Sequence, residues 1–403
     1  MLEKSASQAF KIKYALRTEK QCATTEADRF GGDIANWPGE GDSFPAESDT
    51  DFQQGIEFYT DASMNGTQFN GFKQRTAELP TISGLAVKGY VQGLERVLLA
   101  GLGYAPVDGP KPIEASPGFF RHFFVVPPQG RNQRPYSAEE KAAIGDDYDE
   151  GDIVNAYICV SQALGPYARH ARNVILKDFE IACSAKSVLQ ITASGPAERI
   201  EREDDKASVA NWSTAPDSWP ENAFQLSDFK IFIGPSNGPE PSEAHSATEF
   251  SLKISHGLSD DNVPTGTSNN GLSRAEPMPS GKSTITLDMT IYLHDKTLYE
   301  DWLNKESKLQ CKLVAQRGKY RFAILLPRLQ LAQAQPNFDG AGSTALSFEV
   351  AWPCDEAEQA AAVNSFPSER GGMAWPQASV LGIVATSKEN RNPMRDMEIT
   401  GEA

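Results

Sequence analysis

Five histidines (His122, His170, His245, His256 and His294) and five cysteines (Cys22, Cys159, Cys183, Cys311 and Cys354) are the chain's candidates for metal ligation or nucleophilic chemistry. Zinc sites and catalytic pairs need such residues at short, fixed spacings. Here the histidines are scattered, and the cysteines are odd in number, far apart and never in a CxxC pair. The expectation is strand or surface histidines and buried reduced thiols, folded in a reducing cytoplasm. The acidic run Asp146-Asp-Tyr-Asp-Glu-Gly-Asp152 fails as an EF-hand loop, because Gly151 stands where an oxygen ligand belongs. It reads as a solvated acidic loop. Asn65-Gly-Thr67 and Asn211-Trp-Ser213 match glycosylation sequons, but the N-terminus has no secretory h-region to give them meaning. The chain has no nucleophile elbow, no HExxH, no phosphate-binding loop of the Walker type and no dinucleotide fingerprint after a strand. The expectation is no catalytic, cofactor or metal site, and no enzyme.

Composition narrows the class further. The chain has 403 residues, a formal charge of −16, 39% hydrophobic and 9% aromatic residues, which suits a folded protein with a sizeable core. So acidic a chain lacks the Lys/Arg surplus that grips nucleic-acid phosphates. It does suit a surface that must not stick to a polyanion. No apolar run reaches the roughly 18 residues of a membrane span.

The elements read as mainly β. The clearest is Ser283–Leu293, which alternates almost without fault. Ile285, Leu287, Met289 and Ile291 are expected to face a core, and Thr284, Thr286, Asp288 and Thr290 the opposite, polar side. A short helix capped by Asp295 follows, with Leu298 and Trp302 on its core-facing stripe. Leu309–Gln316 and Tyr320–Ala332 form a hairpin around Arg317-Gly-Lys319. Upstream, strands are expected at Phe10–Leu16, Gln54–Ala62, Thr81–Val91, Phe119–Val126, Asn155–Ser161, Asn173–Ser184 and Val188–Ser194, with a helix over Leu94–Leu102. Downstream of a linker at 196–222 come Phe224–Ile233, Phe250–Leu258 and, last, Thr344–Trp352. Residues 20–52 and 64–80 read as exposed loop, 259–280 as a long polar loop, and 355–403 as an extended C-terminal arm.

The order of elements repeats. Arg75–Pro80, the following strand and Leu94–Leu99 correspond to Arg274–Pro279, the strand after it and Leu298–Leu303. Val174–Ala182 and the closing strand Val188–Ser194 correspond to Ile324–Ala332 and Leu346–Trp352. The helices are 204 positions apart and the later strands 150, so the first half carries 54 additional residues somewhere in 104–172. The expected organisation is two tandem units, 1–205 with that insertion and 206–354, followed by the arm 355–403.

The second unit carries a resemblance. A polar loop, the approach Pro279-Ser-Gly281, the Thr-Ile-Thr-Leu strand, the helix Asp-x-x-Leu-Tyr-x-x-Trp, and the closing Phe322–Leu331 and Phe348-Glu-Val-Ala-Trp352 resemble major tail tube proteins of long, non-contractile tailed bacteriophages. The first unit resembles them through Gly84, Gly89 and Leu94–Leu102. The resemblance, over residues 10–354, implies β-sandwich or barrel domains flanked by a short helix, polymerising as stacked rings into a tail tube. It also implies a virion protein assembled in the host cytoplasm, with itself, a length-setting protein and terminator or tip proteins as partners. DNA would pass through the lumen without specific binding, and no membrane is involved. Thr284, Thr286, Asp288 and Thr290 would then face the lumen. The loop residues Asp260, Asp261, Asn262, Thr265, Asn269 and Asn270, and the arm, would touch neighbouring rings or subunits. Since single-domain tubes commonly have six units around a ring, a two-unit chain favours a trimer with pseudo-sixfold symmetry over a hexamer. The alternative is a virion-surface or carbohydrate-binding β-sandwich module.

Overall fold

The computed structural model describes residues 80–89, 94–104, 113–126, 153–164, 167–197, 199–203, 223–236, 239–242, 244–258, 264–268, 271–274, 281–292, 308–336, 343–350, 365–370 and 380–387, with short pieces at 10–18, 42–44, 51–53, 56–59, 74–77 and 133–135. In chain order the first strands are β1 (Phe10–Thr18), β2 (Asp42–Phe44), β3 (Asp51–Gln53), β4 (Ile56–Tyr59), β5 (Gln74–Ala77) and β6 (Thr81–Lys88). Helix α1 (Leu94–Gly101) precedes β7 (Gly103–Tyr104), β8 (Ile113–Ser116), β9 (Phe119–Val125), β10 (Gln133–Pro135), β11 (Ile153–Leu164) and β12 (Tyr167–Val174). Then come β13 (Asp178–Ser184), β14 (Gln190–Pro196), β15 (Arg199–Glu203), β16 (Phe229–Pro235), β17 (Ala244–His245), β18 (Ala247–Ser255), β19 (Pro264–Ser268) and β20 (Gly271–Arg274). The last elements are β21 (Thr284–Tyr292), β22 (Leu309–Arg317), β23 (Tyr320–Pro336), β24 (Ser343–Val350), helix α2 (Pro367–Arg370) and β25 (Gly382–Ser387).

The fold is mainly β, as the patterning predicts. Its largest part is an antiparallel 15-stranded sheet in which β17, β16, β22, β23, β24, β21, β18, β13, β14, β6 and β3 follow one another as neighbours. The two halves of the sequence meet edge to edge inside it, where Asp178–Ser184 of β13 pair with Glu249–Ser255 of β18. A six-stranded sheet of β15, β12, β11, β1 and β2, with β10 on β11, stands apart from it in hydrogen bonding. It shares the same core: Val160, Ala171 and Ile200 cluster with Phe179, Leu252, Leu287, Ile324 and Phe348. Helix α1 buries Leu94, Val97 and Leu98 in that cluster. At its end the Gly101 carbonyl accepts a 2.8 Å hydrogen bond from the buried His256 ring, which satisfies one of the carbonyls a helix terminus leaves over. An aromatic cluster ties β16, β18 and β23 together, with the Phe229 ring 4.9 Å from Phe250 and 6.5 Å from Phe322.

Several segments differ from the sequence reading, each because tertiary pairing overrides weak local pattern. Residues 355–403, expected as an extended arm, contribute β25, an interior strand buried at every position between β23 and β9. Residues 196–222, expected as a linker, contain β15, which pairs with β12. The loop at 259–280 contains the hairpin β19–β20, and the loops at 20–52 and 64–80 contain β2, β3's first residues and β5. The single strand expected over 173–184 is two strands, parted at Ile175–Lys177. The tight turn at Arg317–Lys319 is present, with Gly318 at φ 64, a conformation glycine adopts without steric cost. The expected helix with Leu298 and Trp302 and the acidic run Asp146–Asp152 lie outside the described residues, as do Asp260, Asp261, Asn262, Asn269 and Asn270.

Candidate functional site

Strand β21 buries Ile285, Leu287, Met289 and Ile291 at 6%, 0%, 2% and 0% exposure. On its other face Thr284 is exposed, and Thr286, Asp288 and Thr290 are half-buried. The neighbouring strands obey the same alternation: Phe179 and Ile181 on β13, Ile191 and Ala193 on β14, Phe250, Leu252 and Ile254 on β18, and Leu346 and Phe348 on β24 all point to the core. With a side-chain period of two, registers that place core residues opposite one another also gather the polar residues on one face. Those registers are Leu252 opposite both Ile181 and Leu287, and Leu287 opposite Phe348.

The polar face is cross-linked between strands. Ser255 Oγ donates to Asp178 at 2.7 Å and Ser251 Oγ to Glu180 at 2.6 Å. Thr290 Oγ1 donates to Glu249 at 3.0 Å and Ser347 Oγ to Asp288 at 2.6 Å. Lys253 Nζ lies 3.4 Å from Asp288, with both side chains roughly half exposed (55% and 42%), so this ion pair adds little to stability. Each hydroxyl orients one carboxylate oxygen, and Lys253 meets the second oxygen of Asp288. Among the described side chains of β13, β14, β18, β21 and β24, this face holds Asp178, Glu180, Glu249, Asp288 and Glu349 against one ammonium, Lys253. A concave depression of about 670 Å³ lies over it, lined among others by Glu180, Ser251, Asp288, Thr290 and Ser347.

Four of the described thiols and histidines, Cys183, Cys311, His122 and His256, are absorbed by packing. Cys183 and Cys311 are buried free thiols. Burial, then the nearby Asp228, pushes the Cys183 pKa up to about 11, and burial raises Cys311 further. His122 is buried on β9 and stacks on Phe124 at 6.3 Å. Among the described residues, no group of three or more His, Cys, Asp or Glu is placed to hold a metal ion, and no helix is long and apolar enough to cross a membrane. Thr265, expected in an irregular loop, lies in β19 opposite β20.

Sequence reasoning missed the carboxylate–hydroxyl pairs because their members are 41 to 77 residues apart. Their trace in the sequence is an Asp, Glu, Ser or Thr at most of the open-face positions of the alternating strands. It also missed a second cluster, around helix α2. There the buried Glu369 of α2 meets Arg321 at 2.5 Å and Lys312 at 3.5 Å, while Lys312 and Ser368 both donate to Glu240 at 2.5 Å.

None of the curated proteins matches the chain. A family model described as "Phage tail tube protein" matches residues 43–351, about three quarters of the chain.

Proposed function

The chain belongs to the phage tail tube protein family, a structural component of the virion tail, and from that premise we propose that its copies polymerise as stacked rings around an aqueous lumen. That tube is the conduit through which DNA is ejected into the host, and the subunit has no catalytic role. The observation that carries this reading is the continuous sheet with one buried face and one carboxylate-lined face. A lumen needs that construction: the strands stay half-solvated on one side and are held by a core on the other. Duplex DNA carries a phosphate charge about every 1.7 Å, and its affinity for proteins comes largely from Lys and Arg replacing counterions. The described side chains of β13, β14, β18, β21 and β24 on that face, five carboxylates and one ammonium, suit a wall that DNA passes without being gripped. Thr284, Thr286, Asp288 and Thr290 belong to that lining.

The chain is built of two equivalent tube units, one within 1–205 and one within 206–354. Strands β13, β14 and β6 are neighbours in the same order as β23, β24 and β21, and each trio gains a fourth strand, β3 on β6 and β18 on β21. Three chains therefore supply six four-strand units, which favours a trimeric ring with pseudo-sixfold symmetry. The hairpin β19–β20 and its flanks project to adjacent rings, and the tube works with a length-setting protein and with terminator and tip proteins, after assembly in the host cytoplasm. Negative-stain microscopy of the purified protein tests the reading. Tubes or rings are expected, and a monodisperse monomer at all concentrations would refute it.

A further inference from the structure

Strands β9, β25 and β23 hold a row of polar side chains that the fold does not satisfy. Arg121 of β9 stands directly opposite Thr386 of β25, and Thr386 stands opposite Arg321 of β23. Directly opposed residues of a sheet share a face, so the three side chains lie side by side with the hydroxyl between two guanidiniums. Two residues along each strand, Phe123, Val384 and Ala323 are buried on that face with Phe366. The row borders this apolar patch. Thr386 is 4% exposed, the Arg321 side chain is 31% exposed and Arg121 is half-buried. The row is thus closed at its centre and reaches water through its arginines.

What the row lacks is an acceptor. Arg121 Nε, Arg321 Nε and Thr386 Oγ1 are buried and have no hydrogen-bond partner in the protein. A guanidinium only donates, and it keeps its charge. Both oxygens of Glu369 are already used, one 3.5 Å from Lys312 and the other 2.5 Å from Arg321, and among the described residues no carboxylate forms an ion pair with Arg121. Burial, and then the charge of Arg321, lower the Arg121 pKa, and Glu369 opposes them incompletely. A polar atom buried with its bond unmade carries the full cost of its desolvation. Water accepts such bonds but does nothing for two like charges side by side, whereas an anion answers both. Three donors on three adjacent strands, spaced about 4.8 Å apart, suit an ion with at least three oxygens pointing in different directions. A carboxylate presents two, in one plane.

We propose that Arg121, Thr386 and Arg321 form a binding site for a small tetrahedral oxyanion, inorganic phosphate or sulfate, that clasps β9, β25 and β23 together. The two guanidiniums reach its oxygens through charge-assisted hydrogen bonds, and Thr386 Oγ1 donates a third. The burial of Nε and Oγ1 favours a free ion over a phosphate carried on a nucleic-acid backbone. The position gives the ion a structural purpose. Among the described residues β9, with β7 and β8 on it, is paired to the large sheet only through β25, the last strand of the chain. An ion bridging both neighbours of β25 fastens the end of the chain to strands made long before it. The site stands whether or not copies form tubes.

Calorimetric titration of the full-length protein with inorganic phosphate, at fixed ionic strength in chloride, tests the site. One saturable site per chain is expected, with sulfate competing for it. Arg121→Gln should weaken binding at least about tenfold, the loss of a charge-assisted bond. Thr386→Val, which keeps the shape of the residue, should weaken it less. In chloride alone Arg121→Gln should melt no lower than the parent, because it removes a cation without a partner there, and in phosphate the parent should melt higher. An equal rise in both, the general effect of an excluded salt, would overturn the proposal. So would the absence of saturable binding, or binding unchanged by Arg121→Gln. Should that variant not fold, Thr386→Val carries the same test, and undiminished binding there would overturn the site. A short DNA duplex that binds the parent, is displaced by phosphate and fails on Arg121→Gln would overturn the assignment to a free ion. Hydrogen exchange gives a second readout: amides of Gly382–Ser387 should slow in phosphate in the parent and not in Arg121→Gln, and identical behaviour of the two would contradict the clasp.

Discussion

Strands β21 and β22 are each nine residues long and belong to the same sheet, yet they live in different surroundings. β21 alternates buried and open positions along its whole length, whereas β22 is buried at every residue from Leu309 to Ala315. The covered side of β22 includes Gln310 and Lys312, polar residues with 2% and 8% exposure. Each is met by named partners. Gln310 Nε2 donates to the carbonyls of Pro235 and Pro239, and Lys312 to Glu240 and Glu369 while lying 4.8 Å from the Phe232 ring centre. On β21 the polar residues have partners too, but water reaches them. A polar group in the covered region depends on the partners buried with it, since a buried charge left alone costs several times what the pair contributes. A polar group on the open face can lose its partner to water at little cost. The covered region is scaffold, and the open face is free to serve as a working surface.

Four changes break or sharpen that contrast, in order of expected size. Removing residues 360–403 deletes β25 from between β23 and β9, exposes Phe123, Val125 and Leu325, and takes away Phe366. The truncated chain should be recovered as aggregate, or as a soluble form that binds a hydrophobic dye. A fully folded product by circular dichroism and melting would show that β25 is dispensable. Next, Leu287→Asp places an unpaired charge at a fully buried position of β21 and should cost at least about 4 kcal/mol, enough to prevent folding. Its neighbour Thr286→Asp should stay within about 0.5 kcal/mol of the parent in urea denaturation. Equal tolerance of both would reverse the assignment of the two faces.

Third, Glu369→Ala leaves Arg321 and Lys312 without their buried carboxylate and should cost about 3–5 kcal/mol. Asp288→Ala, which removes an acceptor of comparable bonding on the open face, should cost about 1 kcal/mol or less. The smallest effect is in pH. Burial alone would raise the Glu240 carboxyl, but hydrogen bonds from Lys312 and Ser368 and the Lys312 charge outweigh it and lower its pKa. A carboxylate with a lowered folded pKa stabilises fully above the unfolded-chain value, about pH 4, and loses that contribution as pH falls through its folded value. Melting temperature measured downward from pH 6 should therefore fall further in the parent than in Glu240→Gln.

How much of this was legible in the sequence follows from the same contrast. β21, α1 and the β22–β23 hairpin were readable because each carries its own periodicity, and the burial of Ile285–Ile291 follows directly from it. β25 has Gly382-Ile-Val-Ala-Thr-Ser387, a short apolar run with no alternation, because both of its faces are covered by parts of the chain far away in sequence. β15 reads Arg-Ile-Glu-Arg-Glu, where Ile200 is buried, so charge hid a strand that its partner β12 holds in place. The open face was visible strand by strand as a polar stripe. Its transverse hydrogen bonds were not, since Glu180 and Ser251 become neighbours only through the register of β13 with β18. The repeat is a reading of element order, and the proposal of two tube units draws on the neighbour order β13-β14-β6 and β23-β24-β21 in the sheet.

The claim on which the rest depends is that the two halves of the chain are equivalent tube units that together line one lumen with their polar faces. A cross-section of the assembled tube by cryo-electron microscopy, with mass per unit length, tests it most directly. Three chains in each ring layer, with an inner wall close to sixfold, an outer wall threefold, and Asp288, Glu180 and Thr286 at the lumen surface, is the predicted result. Six chains per layer, with one half forming the wall and the other lying outside it, would contradict the equivalence of the halves.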